Sequence, residues 1–442
     1  MRACVGRRAS NPGRARAPPR TLIAIVRFRG MARGGGACAA SSSASQASSA
    51  THDAAIGVFD CIQLRRAATL ANASEGKVAP FPRSACILVA PRPPRQAGKV
   101  IAEAYQYAQG TECAEDQAVR HAGEAARGAT AYLNLEGGGG AGGGAASLIA
   151  GGVSRVVIAA EHPLPHLRGR NLRALAEAGL EVLVLRRAVL AADACDPDNP
   201  DRALAARRDD MRETLRACLR VNEDVLHFVA KQQPMCVFKY AMTLDGKTAA
   251  SGGHSKWISG LSSRRQVYRI RASCDAVVVG GQTVRSDDPQ LTPRTEGGAL
   301  TDGNVPTRVV LTRSLNLPAY ANLWNTAEAP TLVITESIER EREDGERGER
   351  ERKGEREGER EGEREGEREG ESLEGMNRME KVAWLRTRGV EVVCLPPPLR
   401  PKAVVRHLYE RGYLRVLWEC GGSLAAPAIA DGAIHKVSNK QA

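Results

Sequence analysis

No Cys-x-x-Cys pair occurs anywhere in the chain, although eleven cysteines run from Cys4 to Cys420. That scatter excludes a zinc ribbon, argues against a disulfide framework, and fits a reducing compartment. No apolar run approaches the roughly 18 residues that a membrane helix needs, so no membrane partner is expected. The first fifty residues contain nine Arg but no Asp, Glu or Lys. Acid-free, rich in Arg, Ser, Ala and Gly, and with "TLIAIV" as their only apolar run, residues 1–50 read as an organelle transit peptide. Elsewhere the positive charge is dispersed and lacks an aromatic-basic pattern, which argues against a nucleic-acid partner.

What is present suits two α/β domains, since 442 residues exceed one ordinary core. A helix over 53–73 precedes an apolar strand at 85–90 and a turn-rich stretch. A helix over 114–126, a strand at 129–136, a glycine loop, a short helix, strands at 155–161 and 180–185 and the helix between them complete a three-layer α/β pattern. The first domain is therefore set at 53–187. A polar connector and one helix fill 188–233. The second domain, 234–442, is again α/β, with a helix at 262–272, strands at 275–281, 307–311 and 331–334, a helix at 401–411 and a strand at 414–419. Between Glu339 and Glu371 the chain carries 16 acidic and 10 basic residues, largely as a Glu-Arg-Glu-Gly repeat. With Gly at every fourth position and nothing apolar to bury, residues 339–372 read as a solvated, disordered insertion.

The run Gly137 to Gly144 consists only of Gly and Ala. It satisfies G-x-G-x-x-G through Gly138, Gly140 and Gly143, but a glycine run satisfies any such pattern, and no Gly-Lys-Ser/Thr follows. Zinc nucleobase deaminases place His-x-Glu at a helix start and two Cys ligands after the next strand. Here Cys113-Ala114-Glu115 takes the first position, and glycines stand where the two Cys should be. One thiolate does not hold a catalytic metal, so no zinc is expected. Glu115 then reads as a solvated or helix N-terminal carboxylate.

The stretches "FKYAMTLDGKTAASGGHSKWISG", "DAVVVGGQTVRSDDPQLTPR" and "WECGGSLAAPAI" resemble the reductase domain of the bifunctional deaminase/reductase of riboflavin biosynthesis. "GEAARGATAYLNLE" and "LIAGGVSRVVIAAEHP" resemble its deaminase partner. Ligand loss in the front half is similar to what marks the plant-type pyrimidine reductases of plastids. The resemblance implies a cytidine-deaminase-like domain followed by a dihydrofolate-reductase-like domain. It also implies NADPH-dependent reduction of 5-amino-6-(5-phosphoribosylamino)uracil, a homodimer, and a chloroplast address, with mitochondrion or cytoplasm as alternatives. A working zinc deaminase/reductase and a truncated, non-catalytic pseudoenzyme are the competing readings.

By the same resemblance Ser255, Arg271, Leu291, Arg294 and Glu419 bind substrate, and Ala241, Trp257, Thr283 and Asp287 bind cofactor. Guanidinium forks suit a phosphate or a pair of uracil carbonyls, and a carboxylate accepts from pyrimidine N–H groups. Gly421 and Gly422 follow a strand, with Ser423 read as the N-cap of the next helix, so a pyrophosphate could approach bare backbone there. Lys239 is expected to line the site, and Asp245 to form a turn before Gly246. The resemblance implies further strands beyond "DGAIHKVSNKQA", so the reductase domain is expected to be truncated at its C-terminus.

Overall fold

The computed structural model describes residues 56–91, 98–138, 143–194, 202–243, 245–247, 260–295, 297–301, 303–337, 373 and 375–441. The expected transit segment, the charged insertion, and the segment carrying Ser255 and Trp257 lie outside them. The chain divides into two compact units at Pro234/Met235.

In the first unit, α1 (Val58–Ala71), β1 (Ala85–Val89), β2 (Val100–Tyr105), α2 (Ala114–Ala122), β3 (Thr130–Leu133), α3 (Gly144–Ala150), β4 (Arg155–Ile158), α4 (Arg170–Glu177) and β5 (Glu181–Val184) follow in order. The strands form one mixed sheet, β2-β1-β3-β4-β5. β1 runs antiparallel to both its neighbours, whereas β3, β4 and β5 are parallel. Alternation along each strand sends Tyr132 and Val157 to one face and Leu133 and Ile158 to the other.

The first face packs against α1, α5 (Leu185–Ala194) and α6 (Arg202–Val221), through Leu64, Val189, Met211 and Cys218 among others. The second packs against α2, α3 and α4 through Ala118, Leu148 and Leu175. Three expectations are corrected here. β2 lies inside the stretch read as turns. The polar connector, too, is largely helical: α6 begins at Arg202, and Arg65 donates to its Asp210 and Thr214 at 2.6 Å each. Nor does one helix run on to Ala230. Asn222 interrupts it, because its side chain turns inward to accept from the Arg83 amide (2.7 Å) and donate to the Arg83 carbonyl (3.0 Å). α7 (Glu223–Lys231) starts anew beyond it.

The second unit runs β6 (Met235–Met242), α8 (Leu261–Ala272), β7 (Ala276–Gly280), α9 (Gly281–Asp287), β8 (Thr307–Leu311), β9 (Thr331–Glu336), α10 (Arg378–Thr387), β10 (Glu391–Leu395), α11 (Pro401–Glu410), β11 (Arg415–Trp418), α12 (Gly422–Ala430) and β12 (Lys436–Gln441). Its sheet has the order β10-β9-β8-β7-β11-β6-β12, and every pairing is parallel. Unbroken apolar runs such as "AVVV" are what a sheet covered on both faces requires. Residues 436–441 pair in register with 237–242 of β6, so a strand stands where the sequence reading placed none.

Candidate active site

Glu419 directly follows β11, and its amide continues the ladder by donating to the Val278 carbonyl at 2.9 Å. Arg271, in the last turn of α8, donates Nε to one Glu419 oxygen at 2.6 Å and Nη2 to the other at 2.9 Å. Its Nη1 donates to the Thr292 carbonyl at 3.2 Å. Both side chains are largely buried, 14% and 12% exposed. Burial alone would raise the Glu419 pKa; the Arg271 guanidinium, helped by Lys239, outweighs it and holds the carboxyl below its usual value. The same pairing raises that of Arg271 against its own desolvation. Thus the expected phosphate- or carbonyl-binding fork and the expected pyrimidine acceptor are partners of each other.

Lys239 sits on β6 one residue past Phe238, which faces Trp418 across the ladder, and so stands level with Glu419. Ala241 is two residues further on, half-buried beside β12. Asp245 shapes the turn ahead of Gly246, whose φ is +79°, by accepting from the Thr243 hydroxyl and pairing with Lys247 at 3.0 Å.

Residues 288–294 reach the pair through the Thr292 carbonyl that Arg271 holds. Asp288 and Leu291 both take left-handed backbone, φ +39° and +57°. Such a conformation is costly away from glycine and persists only where its surroundings enforce it. At Asp288, Asn322 enforces it: its amide donates to Asp288 Oδ1 at 2.8 Å, and its side-chain nitrogen donates to Oδ2 at 2.7 Å. The Leu291 side chain is 2% exposed and belongs to the core, so Leu291 offers a ligand only its backbone. Arg294 donates Nη1 to the Gly298 carbonyl at 2.5 Å and pairs through Nη2 with Glu328.

Thr283 and Asp287 lie half-buried on α9, at its third and last positions. Gly281 opens that helix against Thr312, where a Cβ would come within 3.3 Å. One expectation fails at α12. Its N-cap is Gly421, with no side-chain cap, and Ser423 is already the second helical residue. The Gly421-Gly422 backbone enters the helix before a serine hydroxyl can close it. Nothing lies within 4 Å of a Cβ built on Gly421 or Gly422, so the mouth of α12 is bare backbone. That fits a pyrophosphate approaching the leading amides.

The first unit encloses a cavity of about 590 Å³ lined by Cys113, Glu115, Glu136, Gly137, Gly144 and His162, among others. Glu115 stands in the first turn of α2, yet it is 2% exposed rather than solvated, and its Oε2 has no hydrogen-bond partner. Desolvation raises its pKa, and burial pushes the Cys113 thiol up as well. A Cβ on Gly137 would fall 2.3 Å from Glu115 Oε1, and one on Gly144 2.4 Å from its Cδ. The carboxyl occupies the space that side chains at those positions would claim. Among the described residues no group of three or more His, Cys, Asp or Glu is placed to hold a metal. Residues 139–142 are Gly, Gly, Ala and Gly and supply no ligating side chain. The residues present do not fit a catalytic zinc.

Two residues here escaped sequence reasoning. Glu136 is 1% exposed and accepts from the amides of His162 (2.9 Å), Gly169 (2.8 Å), Asn171 (3.0 Å) and Leu172 (3.3 Å). His162 accepts at Nδ1 from the Leu164 amide at 3.1 Å, and burial depresses its pKa to about 4. A strand-ending acid was a visible signal for the first; nothing marked the second.

A mixed deaminase-like α/β unit ahead of an all-parallel α/β unit defines a two-domain protein of the deaminase/reductase class. Residues 234–438 match the RibD C-terminal domain. The chloroplastic riboflavin biosynthesis protein PYRR of Zea mays is 41% identical over 86% of this chain and 52% of that protein. The riboflavin biosynthesis protein RibD of a Synechocystis species is 33% identical over 86% of this chain and 83% of its own. A Thermotoga maritima crystal structure, described as a diaminohydroxyphosphoribosylaminopyrimidine deaminase/5-amino-6-(5-phosphoribosylamino)uracil reductase, superposes with a TM-score of 0.60 at 25% identity, covering 87% of this chain and 86% of that one. The chain belongs to the RibD family of riboflavin biosynthesis proteins. It spans about half the length of the plant relatives that it matches.

Proposed function

We propose that the second unit reduces 5-amino-6-(5-phosphoribosylamino)uracil to its ribitylamino product with NADPH, and that the first unit does not deaminate. The observation that carries the reading is the buried Arg271–Glu419 pair beside Lys239. Arg271 takes one lone pair from each Glu419 oxygen and keeps the group ionised. The remaining lone pairs are free to accept pyrimidine N–H groups. Arg294, two residues past the carbonyl that anchors Arg271, would exchange Glu328 for the substrate phosphate, a ligand that suits its fork better.

NADPH would lie with its pyrophosphate at the bare mouth of α12 and its neighbouring groups against Thr283, Asp287 and Ala241. Bound there, it supplies the hydride for the sugar C1. The C1–O bond of the ring breaks as the C1–H bond forms, and the ring oxygen takes a proton. The protein's part is to hold the reacting carbon in place and exclude water. Glycines across 137–144 support the loss of deamination, and the chloroplastic relatives together with the Arg-rich, acid-free residues 1–50 support a plastid address.

The test is NADPH oxidation, followed in absorbance, with the ribosylamino substrate, alongside elemental analysis and an ammonia assay with the diaminopyrimidine precursor. Substrate-dependent oxidation that collapses in Arg294→Ala is expected, with no ammonia released. Stoichiometric zinc with ammonia release, or no NADPH consumption, would overturn the reading.

A further inference from the structure

Arg308 stands among valines in β8 and is fully buried, a costly place for a charge. Alternation along the strand puts it on the face of Val310, which packs with Leu291, Leu323 and Trp324. From there its guanidinium donates to three backbone carbonyls, those of Asn322 at 3.3 Å, Asn325 at 2.9 Å and Ala329 at 2.6 Å. Thr331, its register partner on β9, ties the same segment by donating to the Leu323 carbonyl at 2.7 Å. Burial pushes the Arg308 pKa down to about 10; Glu328 opposes the fall and Arg294 adds to it. An apolar side chain at this position would escape that penalty, so the stability of the sheet alone does not account for an arginine.

What these bonds fasten is the support of the site. Segment 322–329 touches loop 288–294 at both ends: Asn322 donates from its amide and its side chain to Asp288, and Glu328 pairs with Arg294. Arg308 grips the segment near those same two ends and in its middle. We propose that Arg308 is a positioning residue for the reduction: it touches neither substrate nor cofactor, and through Asn322 and Glu328 it sets the place of Asp288 and the aim of Arg294, hence the affinity for the phosphorylated substrate. A planar fork serves three carbonyls at once, which a lysine ammonium on a flexible stem does not reproduce. The mouth of α12 takes no part in these contacts, so NADPH affinity is left largely alone. The inference rests on the reductase reading for the identity of the ligand at Arg294.

The full chain and its Arg308→Lys and Arg308→Met variants are compared in steady-state kinetics with NADPH saturating, and in fluorescence titrations with NADPH alone. KM for the ribosylamino substrate is expected to rise by about ten-fold in Arg308→Met and about three-fold in Arg308→Lys, with kcat and the NADPH Kd each within about two-fold of native. Because both changes act through one loop, Arg308→Lys placed on Asp288→Ala should add much less than its factor alone. An arginine that only filled the core would lower the unfolding temperature and produce neither the split between KM and kcat nor the non-additivity. Should Arg308→Met fail to fold, Arg308→Lys and its cycle with Asp288→Ala decide. An unchanged KM in a folded and active variant, a fall in kcat in place of the rise in KM, or full additivity with Asp288→Ala overturns the inference while the reductase reading stands. A native chain that does not oxidise NADPH with the substrate overturns the reductase reading, and this inference with it.

Discussion

Arg271 and Glu419 are 148 positions apart in sequence, yet they meet through two parallel hydrogen bonds of 2.6 and 2.9 Å. Removing either leaves a buried charge without its counter-charge, which is where such pairs show their cost. Glu419→Ala and Arg271→Ala are each expected to destabilise the second unit by about 3 kcal/mol, and the double variant by much less than the sum. Denaturant unfolding of the four proteins in the cycle measures the coupling, and strict additivity would show that the pair is not energetically linked.

In loop 288–294, Asn322 holds Asp288 in left-handed backbone, three residues ahead of Leu291 in the same conformation. Asp288→Ala removes the acceptors and frees the loop to relax. If Leu291 and Arg294 contact substrate from this loop, KM should rise by about ten-fold with a smaller change in kcat, as for lost uniform binding. Steady-state kinetics with NADPH saturating separate the two; an unchanged KM would remove the loop from the site.

Gly144 and Gly137 differ in what a methyl group would strike. At Gly144 it meets the Glu115 Cβ at 2.8 Å as well as the carboxyl, whereas at Gly137 it meets mainly the flexible carboxyl end. Gly144→Ala should therefore destabilise the first unit by about 1 to 3 kcal/mol, as overpacking does, and Gly137→Ala by less. Adding Glu115→Ala to Gly144→Ala should recover most of the loss. Thermal unfolding of the three variants reads this directly.

Burial lowers the His162 pKa to about 4. The unfolded ring, near 6.5, binds its proton more readily, so the folded state gains from His162 staying neutral above that value and loses that advantage as pH falls towards 4. Glu115 acts in the opposite sense: its raised pKa favours the folded state at low pH and is lost as pH rises through the folded value. Comparing the native chain with His162→Gln isolates the first effect. Between pH 7 and 4 the native chain should lose about 3 kcal/mol more than the variant, the equivalent of the shift. Parallel pH profiles from circular dichroism would refute this.

Much of this fold could be read along the chain because its strands are nearly pure apolar segments. "ACILV" and "AVVV" are too short for a membrane helix and too apolar for a turn, and β7 lies within a residue of where the pattern places it at each end. β2 escaped because an edge strand reading "VIAEAY" buries little and alternates weakly. α6 escaped because its apolar stripe of Met211, Leu215 and Cys218 is sparse among arginines and becomes meaningful only against α1. The site followed the same division. Arg271, Arg294 and Glu419 were visible as residues in motifs, but their pairing was not, since Arg271 is brought to Glu419 and the Thr292 carbonyl, and Arg294 to Glu328, by tertiary packing. His162 carried no pattern, and only the folded loop reveals that its ring faces the glycines.

Glu136 gathers four backbone amides, from His162, from Gly169 at the N-cap of α4 and from Asn171 and Leu172 in its first turn, onto one carboxylate. The far side of the first unit's hollow is consequently fastened by the main chain itself, like a seam stitched from within. Substitutions along the glycine stretch can therefore redecorate the interior while that boundary keeps its contour.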